Sequence, residues 1–322
     1  MSERSELRDG IIAFIIYALL IILSVIATPL AIVSMALLPL PVLVYTAMYT
    51  RKAGAVLVLC LTIVSLVFGP FWSIVTLMCA GAGWGMGQFH HRERRSIRGL
   101  LLTGTVTLVA GFFVLFALLS SLFDFNLARE MEQQWTAATE MYQEIAGQMG
   151  VELNEDELST VGEMMVALIP FVLLTMSGVT ALANHGVARL VLRRFGISTA
   201  QLPPFHKWTF PRSLLAWYII SVIISGFSQS GTYWHSVGLT ASWLIQLLFV
   251  VQALSLLAAL LYHYESIKTA WLIGLTVLML PFIVVALMFL YFPLSLLGML
   301  EIGFRFRDKL VRSAKSTDSR RN

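Results

Sequence analysis

Residues 124–163 read DFNLAREMEQQWTAATEMYQEIAGQMGVELNEDELSTVGE. The stretch holds Asp124, Glu130, Glu132, Glu140, Glu144, Glu152, Glu155, Asp156, Glu157 and Glu163, which is 10 of the chain's 18 acidic residues. Arg129 is its only base, and the other 21 of 22 Lys and Arg residues lie in short polar breaks elsewhere. A membrane separates two such populations most simply. The bases then fall on the inner side, where the positive-inside rule puts them, and the acidic island faces outward.

The chain as a whole is apolar, with 58% hydrophobic and 12% charged residues and a mean hydropathy of +0.81. A soluble domain carries about 25% charged residues. Apolar runs recur that are long enough to cross a hydrocarbon core of about 30 Å. In lipid such runs must satisfy their own backbone hydrogen bonds, which makes them helices. The short alternating segments of an outer-membrane barrel are absent. The sequence therefore predicts an all-α, polytopic integral membrane helical bundle of nine or ten transmembrane helices. Its N-terminus is expected in the cytoplasm, with an amphipathic acidic helical segment outside.

The first apolar run follows Glu3, Arg4, Glu6, Arg8 and Asp9 and has no small-residue cleavage site before a soluble domain, so it reads as a retained helix. Ile11 to Thr50 is too long for one span. It divides near Thr28-Pro29, because the residue before a proline resists helix, and Leu38-Pro39-Leu40-Pro41 should distort the second half. Arg51-Lys52 marks a cytoplasmic turn. Ala53 to Gln88 reads as a two-span hairpin turning at Gly69-Pro70, and Gln88 to Arg98 as a basic cytoplasmic loop. Gly99 to Phe123 crosses outward and Val161 to Leu190 crosses back, ending at Arg189, Arg193 and Arg194. Residues 1–195 thus form a six-span module with residues 124–160 as its outer acidic segment.

Residues 196–212 read as a proline-bearing cytoplasmic connection, 213–312 as C-terminal membrane helices and 313–322 as a basic disordered tail. Ser213 to Gln229 crosses out, Ser230 to Ser236 turns, and Val237 to Tyr262 returns. The apolar stretch from Thr269 to Phe304 forms one span, or two short ones broken near Phe292-Pro293. The second option returns the basic tail to the cytoplasm and is favoured, giving ten crossings.

Several groups of residues stand out as candidates. Gly81, Gly83, Gly85 and Gly87 are spaced to let another helix approach closely. No strand precedes them, so they are not a dinucleotide loop. Leu127, Met131, Trp135, Ala138, Tyr142, Ile145 and Met149 form one apolar stripe on an amphipathic helix. Trp135, Tyr142 and Met131 are candidates for a lid or a partner surface, set against a solvated hairpin on the bundle's outer ends. Asn154 with Glu157 has the spacing of a capping box. Asn184, His185, Gln246 and Gln252 are intramembrane polar residues, which serve more often as interhelical hydrogen-bond partners than as ligands. Glu301 can reach the interface beside Arg305, and His90 and His91 read as solvated. Cys60 and Cys79 lie in spans as packing residues. No metal set, cofactor motif or catalytic constellation is present, and the acids lack the ordering of a calcium loop. The net charge of +4 follows from membrane topology and gives no indication of nucleic-acid binding.

Five segments carry a family resemblance. They are Leu38-Pro39-Leu40-Pro41 with Tyr45-Thr46, the glycine run, Pro203-Pro204-Phe205, Pro211-Arg212-Ser213 with Trp217-Tyr218, and Leu300-Glu301-Ile302-Gly303-Phe304-Arg305. In this order they resemble the YybS-like bacterial membrane proteins over nearly the whole length. That resemblance implies a bacterial cytoplasmic membrane and supplies no activity. The first six spans also resemble the substrate-binding subunits of energy-coupling-factor vitamin transporters, in Gly54, Gly69-Pro70, Gly81-x-Gly83 and the outer loop between spans five and six. Those subunits carry small residues four apart in the first span, whereas Ala13 and Ala18 are five apart. The rod-shape factor MreD is similar to the same fold without transporting anything. Two functions follow as expectations: a small-molecule-binding subunit of a transport system with an outward pocket, or a non-catalytic envelope scaffold that binds a membrane protein partner. Neither is an enzyme.

Overall fold

The computed structural model describes residues 3–91, 96–149, 155–197, 199, 202–229, 232–263 and 280–306. Every regular element among them is helical. The chain divides into two compact units, Met1–Leu202 and Pro203–Asn322.

In the first unit the prolines set the breaks. Helix α1 (Glu3–Ile26) ends one residue before Ala27, and α2 (Thr28–Leu37) starts with Pro29 in its first turn. There a missing N–H removes no intrahelical bond. The run then breaks again at Leu38, and α3 (Pro39–Met48) opens on Pro39 and Pro41. Both breaks fall where the sequence placed them. Thr50 Oγ1 accepts from the Ala53 N–H at 3.1 Å and starts α4 (Arg51–Ser65). Arg51 and Lys52 therefore form the first turn of a helix, where a turn between spans was expected, because Thr50 supplies the cap. Gly69 has φ 105°, a conformation open to glycine, and reverses the chain into α5 (Pro70–Gly87).

Ser96 caps α6 (Ile97–Phe123), and Asn126 Oδ1 accepts from the N–H groups of Ala128 and Arg129 to open α7 (Leu127–Gln148). The return span expected over Val161–Leu190 is interrupted. α8 (Glu155–Ala167) stops at Leu168, and α9 (Ile169–Arg194) begins anew with Pro170 in its first turn. Asn154 and the loop acids nearby lie outside the described residues.

The hub of this unit is α3, which packs against α1, α4, α5 and α9. Seven of its ten residues are buried, from Pro39 to Ala47. Half of the window in Pro29–Met48 is buried, against 11% for Ile97–Phe123, whose apolar side chains face outward. An outward apolar face on a long helix suits a lipid surround, where hydrocarbon replaces water as the solvent. Two clusters of buried apolar residues flank α3. One is built on Tyr17, Leu38, Val42 and Ala80, the other on Leu43, Met86, Leu100 and Leu192.

The second unit is built on α11 (Tyr233–His263), which packs against α10 (Ser213–Phe227) and α12 (Leu280–Phe304). Two boundaries differ from expectation. Residues 233–236, expected in a turn, already belong to α11, and Pro293 lies inside α12, so the chain does not break at Phe292-Pro293. Neighbouring helices can absorb a proline in a membrane helix, which a local rule does not register. The Pro203–Pro211 segment is pinned along α11. The Ser255 hydroxyl donates to the Phe205 and Trp208 carbonyls, and the Phe210 N–H donates to Gln252 Oε1 at 3.0 Å. The tail beyond residue 313 lies outside the described residues.

Six helical stretches among the described residues are long and apolar enough to cross a membrane: Ser5–Ile26, Pro29–Met48, Arg51–Phe68, Ile97–Phe123, Ile169–Arg194 and Tyr233–Leu260. Helix α5 is 18 residues long, but its four glycines and two tryptophans lower its hydropathy, and ten of its residues are buried.

The glycines of α5 differ in what they face. A Cβ on Gly83 would overlap the Pro39 carbonyl, and one on Gly87 would lie 2.6 Å from the Thr46 Cβ. One on Gly85 would touch the Thr103 methyl at 3.0 Å, and one on Gly81 would meet nothing within 4 Å. Gly83→Val should therefore lower stability by about 1–3 kcal/mol through overpacking, read as thermal unfolding in detergent. Gly81→Ala should leave the transition unchanged. Equal shifts for the two variants would contradict this packing.

Candidate functional site

Two recesses of the first unit lie where α1 begins. There Tyr45, on the last turns of α3, stands between the two. One, of about 230 Å³, is walled by Asp9, Ile12, Ile16, Pro41, Val44 and Phe195, among others, from α1, α3 and the end of α9. The other, of about 530 Å³, lies between α1, α3 and α4 and is walled by Glu6, Gly10, Phe14, Val56, Leu57 and Cys60, among others. Both are the product of α1 leaning on α3. A Cβ at Gly10 would sit 3.2 Å from the Tyr45 hydroxyl, so the glycine makes room for the ring.

A polar cluster closes this end. The Tyr49 hydroxyl donates to Asp9 Oδ2 at 2.6 Å and reaches the Ser5 carbonyl at 3.0 Å. Arg8 Nε donates to the other Asp9 oxygen at 3.0 Å. Burial, and next the Asp9 carboxylate, push the Tyr49 phenol above its ordinary pKa. The Tyr45 and Tyr49 rings lie 5.1 Å apart. Tyr45 is only 8% exposed. Among the described residues its hydroxyl has no hydrogen-bond partner.

The candidates taken from the sequence are spread over three other places. Met131 and Trp135 line a shallow recess with Glu130, Gln134 and Met165, while Tyr142 is exposed and outside it. Trp135 pins α7 to α8: its Nε1–H donates to the Leu158 carbonyl at 2.9 Å, and a Cβ on Gly162 would meet its ring at 2.6 Å. Helix α7 contributes no buried residue. It follows the far end of α6, a helix of 27 residues, and so begins about 40 Å along that helix from its start.

Asn184 and His185 are buried on the face of α9 that also carries Ser177, Ala181, Ala188 and Leu192. The Asn184 amide donates to the carbonyls of Ala36, at 2.6 Å, and Thr180, at 2.8 Å. In the second unit Gln246 Nε2 donates to the Tyr218 hydroxyl at 2.9 Å, and Gln252 holds the Phe210 backbone.

One smaller expectation fails: His90 is 7% exposed rather than solvated. Glu301 is 3% exposed. The His91 side chain lies outside the described residues. Cys79 is buried and Cys60 exposed, and both are free thiols. Among the described residues no group of three His, Cys, Asp or Glu side chains is arranged to hold a metal. The Tyr45 recesses escaped sequence reading because residues 6 to 195 build them, with no local signature beyond the proline pair that positions α3.

An all-helical chain with several apolar, lipid-length helices and an apolar recess among them is a multi-pass membrane protein. The chain belongs to the family described as Predicted membrane protein (DUF2232), whose model matches residues 15–301. It is 24% identical over 320 residues to the uncharacterized protein YybS of Bacillus subtilis (strain 168), covering 96% of this chain and 100% of that protein. No solved structure matches.

The pinning role of Trp135 makes a direct prediction. Trp135→Ala should free α7 from α8. A glutamate-specific protease should then cut after Glu140 and Glu144 about ten-fold faster, the change for about 1.4 kcal/mol of lost local stability. Unchanged cleavage would mean that the indole does not hold the pair together.

Proposed function

We propose that this protein is a non-enzymatic, small-molecule-binding membrane protein of the bacterial cytoplasmic membrane, acting as a subunit of a transport system. The observation that supports this reading is Tyr45. A large polar side chain is buried between two recesses with no hydrogen-bond partner for its hydroxyl among the described residues, and pockets of a few hundred Å³ with apolar walls and a few polar groups are the usual form of ligand sites. The reading keeps the N-terminus in the cytoplasm and the acidic α7 outside. It moves the binding site from the outer side to the end bearing the N-terminus. Helix α7, in this account, is not the lid of that site.

The second reading, a membrane scaffold, draws on the exposed apolar residues of α7: Met141, Tyr142, Ile145 and Met149 are between 47% and 74% exposed. Such a stripe suits contact with another envelope protein.

Native mass spectrometry of the protein, gently extracted from its own membrane, separates the two readings. A small molecule bound at one per chain is expected. The expected loss is about ten-fold in occupancy when Ile12→Trp and Val56→Trp fill the recesses. Both residues are already about half exposed, at 48% and 59%, so the variants should fold. A chain free of small molecules but bound to another envelope protein would overturn the binding reading.

A further inference from the structure

We infer that the larger recess, between α1, α3 and α4, takes an amphipathic amine: a cationic head held by Glu6 and Tyr45, with an apolar chain along the wall. This rests on the small-molecule reading above and adds the chemical class. The geometry supplies three components. Along α1, Glu6 and Gly10 are four residues apart, and Leu7, Ile11 and Phe14 follow at steps of four and three, so one helix face offers a carboxylate at one end and an apolar track beyond it. Leu57 and Val56 of α4 complete the track. The walls therefore suit a chain, and the one charged group in them suits a cation.

Glu6 is the carboxylate left over at this end of the unit. Asp9 is already engaged by Arg8 and by the Tyr49 hydroxyl. Among the described residues Glu6 has no such partner, and the nearby bases Arg51 and Lys52 are exposed and do not line the recess. The second polar group is the Tyr45 hydroxyl, carried on a residue only 8% exposed and without a hydrogen-bond partner among the described residues, whose oxygen can accept from an ammonium. The rings of Tyr45 and Phe14 add faces on which a cation is favoured. An anion would meet Glu6 with nothing to offset it, and a neutral alcohol would leave the carboxylate unpaired.

Cys60 lines the same recess and reports on it without any added label. The test uses the full-length protein in phosphatidylcholine nanodiscs, with decylamine, decanol and decanoate as probes of equal chain length. The rate at which N-ethylmaleimide alkylates Cys60 is read by peptide mass spectrometry, with buried Cys79 as internal reference. Decylamine should slow Cys60 about ten-fold more than decanol or decanoate, the margin for one charge-assisted hydrogen bond. Glu6→Gln should abolish that margin.

Thermal unfolding is the parallel reading: decylamine should raise the transition of the native protein by mass action and not that of Glu6→Gln. Equal protection by all three probes would overturn the amine assignment while leaving a small-molecule site in place. Absence of both protection and thermal shift with every probe would overturn the site itself. The same measurement in phosphatidylethanolamine nanodiscs identifies the source of the amine. Protection without added decylamine assigns it to a lipid headgroup, and its absence to a free amine.

Discussion

The first unit depends on a carbonyl that its own helix does not satisfy. Pro39 and Pro41 carry no N–H, and between α2 and α3 the ladder is interrupted at Leu38. In hydrocarbon no water is available to repair the gap, so another part of the protein must. Asn184 of α9 does so, donating its amide to the Ala36 carbonyl. A polar residue that looks expensive inside a membrane is thus the partner of a break made 148 positions earlier in the chain. The helix-to-helix donor role accounts for its amide nitrogen, while among the described residues its Oδ1 stays buried without a hydrogen-bond partner.

The second half of the same constraint is steric. With the ladder interrupted, α3 presents its Pro39 carbonyl and the backbone near Leu43 directly to α5, and glycine at positions 83 and 87 lets that backbone come close. A helix wedged between α5 and α9 has little freedom, and its last turns hold Tyr45 and Tyr49 at fixed places beside α1. The recesses are the space that remains when α1 and α4 pack on a helix fixed in this way. Fold and candidate site therefore share one origin, the proline pair at 39 and 41.

Much of this was legible in the residues because prolines, glycines and charge runs act locally. Thr28-Pro29, Leu38-Pro39 and Gly69-Pro70 announced breaks that the chain makes, and the three- and four-residue spacing from Leu127 to Met149 matches a helix, α7. Leu168-Ile169-Pro170 carried the same kind of signal, a proline in a first helical turn, and was hidden by the continuous apolarity of its surroundings. Pro293 misled in the opposite direction, since α12 runs through it. His90 sits in a basic run and reads as solvated, yet it is buried. Tyr45 was unreadable for a different reason. Its significance lies in which groups fail to reach its hydroxyl, and that depends on the packing of four helices rather than on any spacing.

The most direct test of the account is a double-mutant cycle between the proline break and the amide that satisfies it, measured as unfolding free energy in detergent. Asn184→Leu should destabilise the native protein by about 1–3 kcal/mol, the cost of a buried carbonyl left unpaired. In a Pro39→Ala, Pro41→Ala background, where the helix can run unbroken and bring the Leu40 N–H onto the Ala36 carbonyl, the same change should cost much less. A coupling of about 1 kcal/mol or more is the predicted result. Strictly additive effects would contradict it, and would mean that Asn184 stabilises α9 for a reason unrelated to the break in α2 and α3.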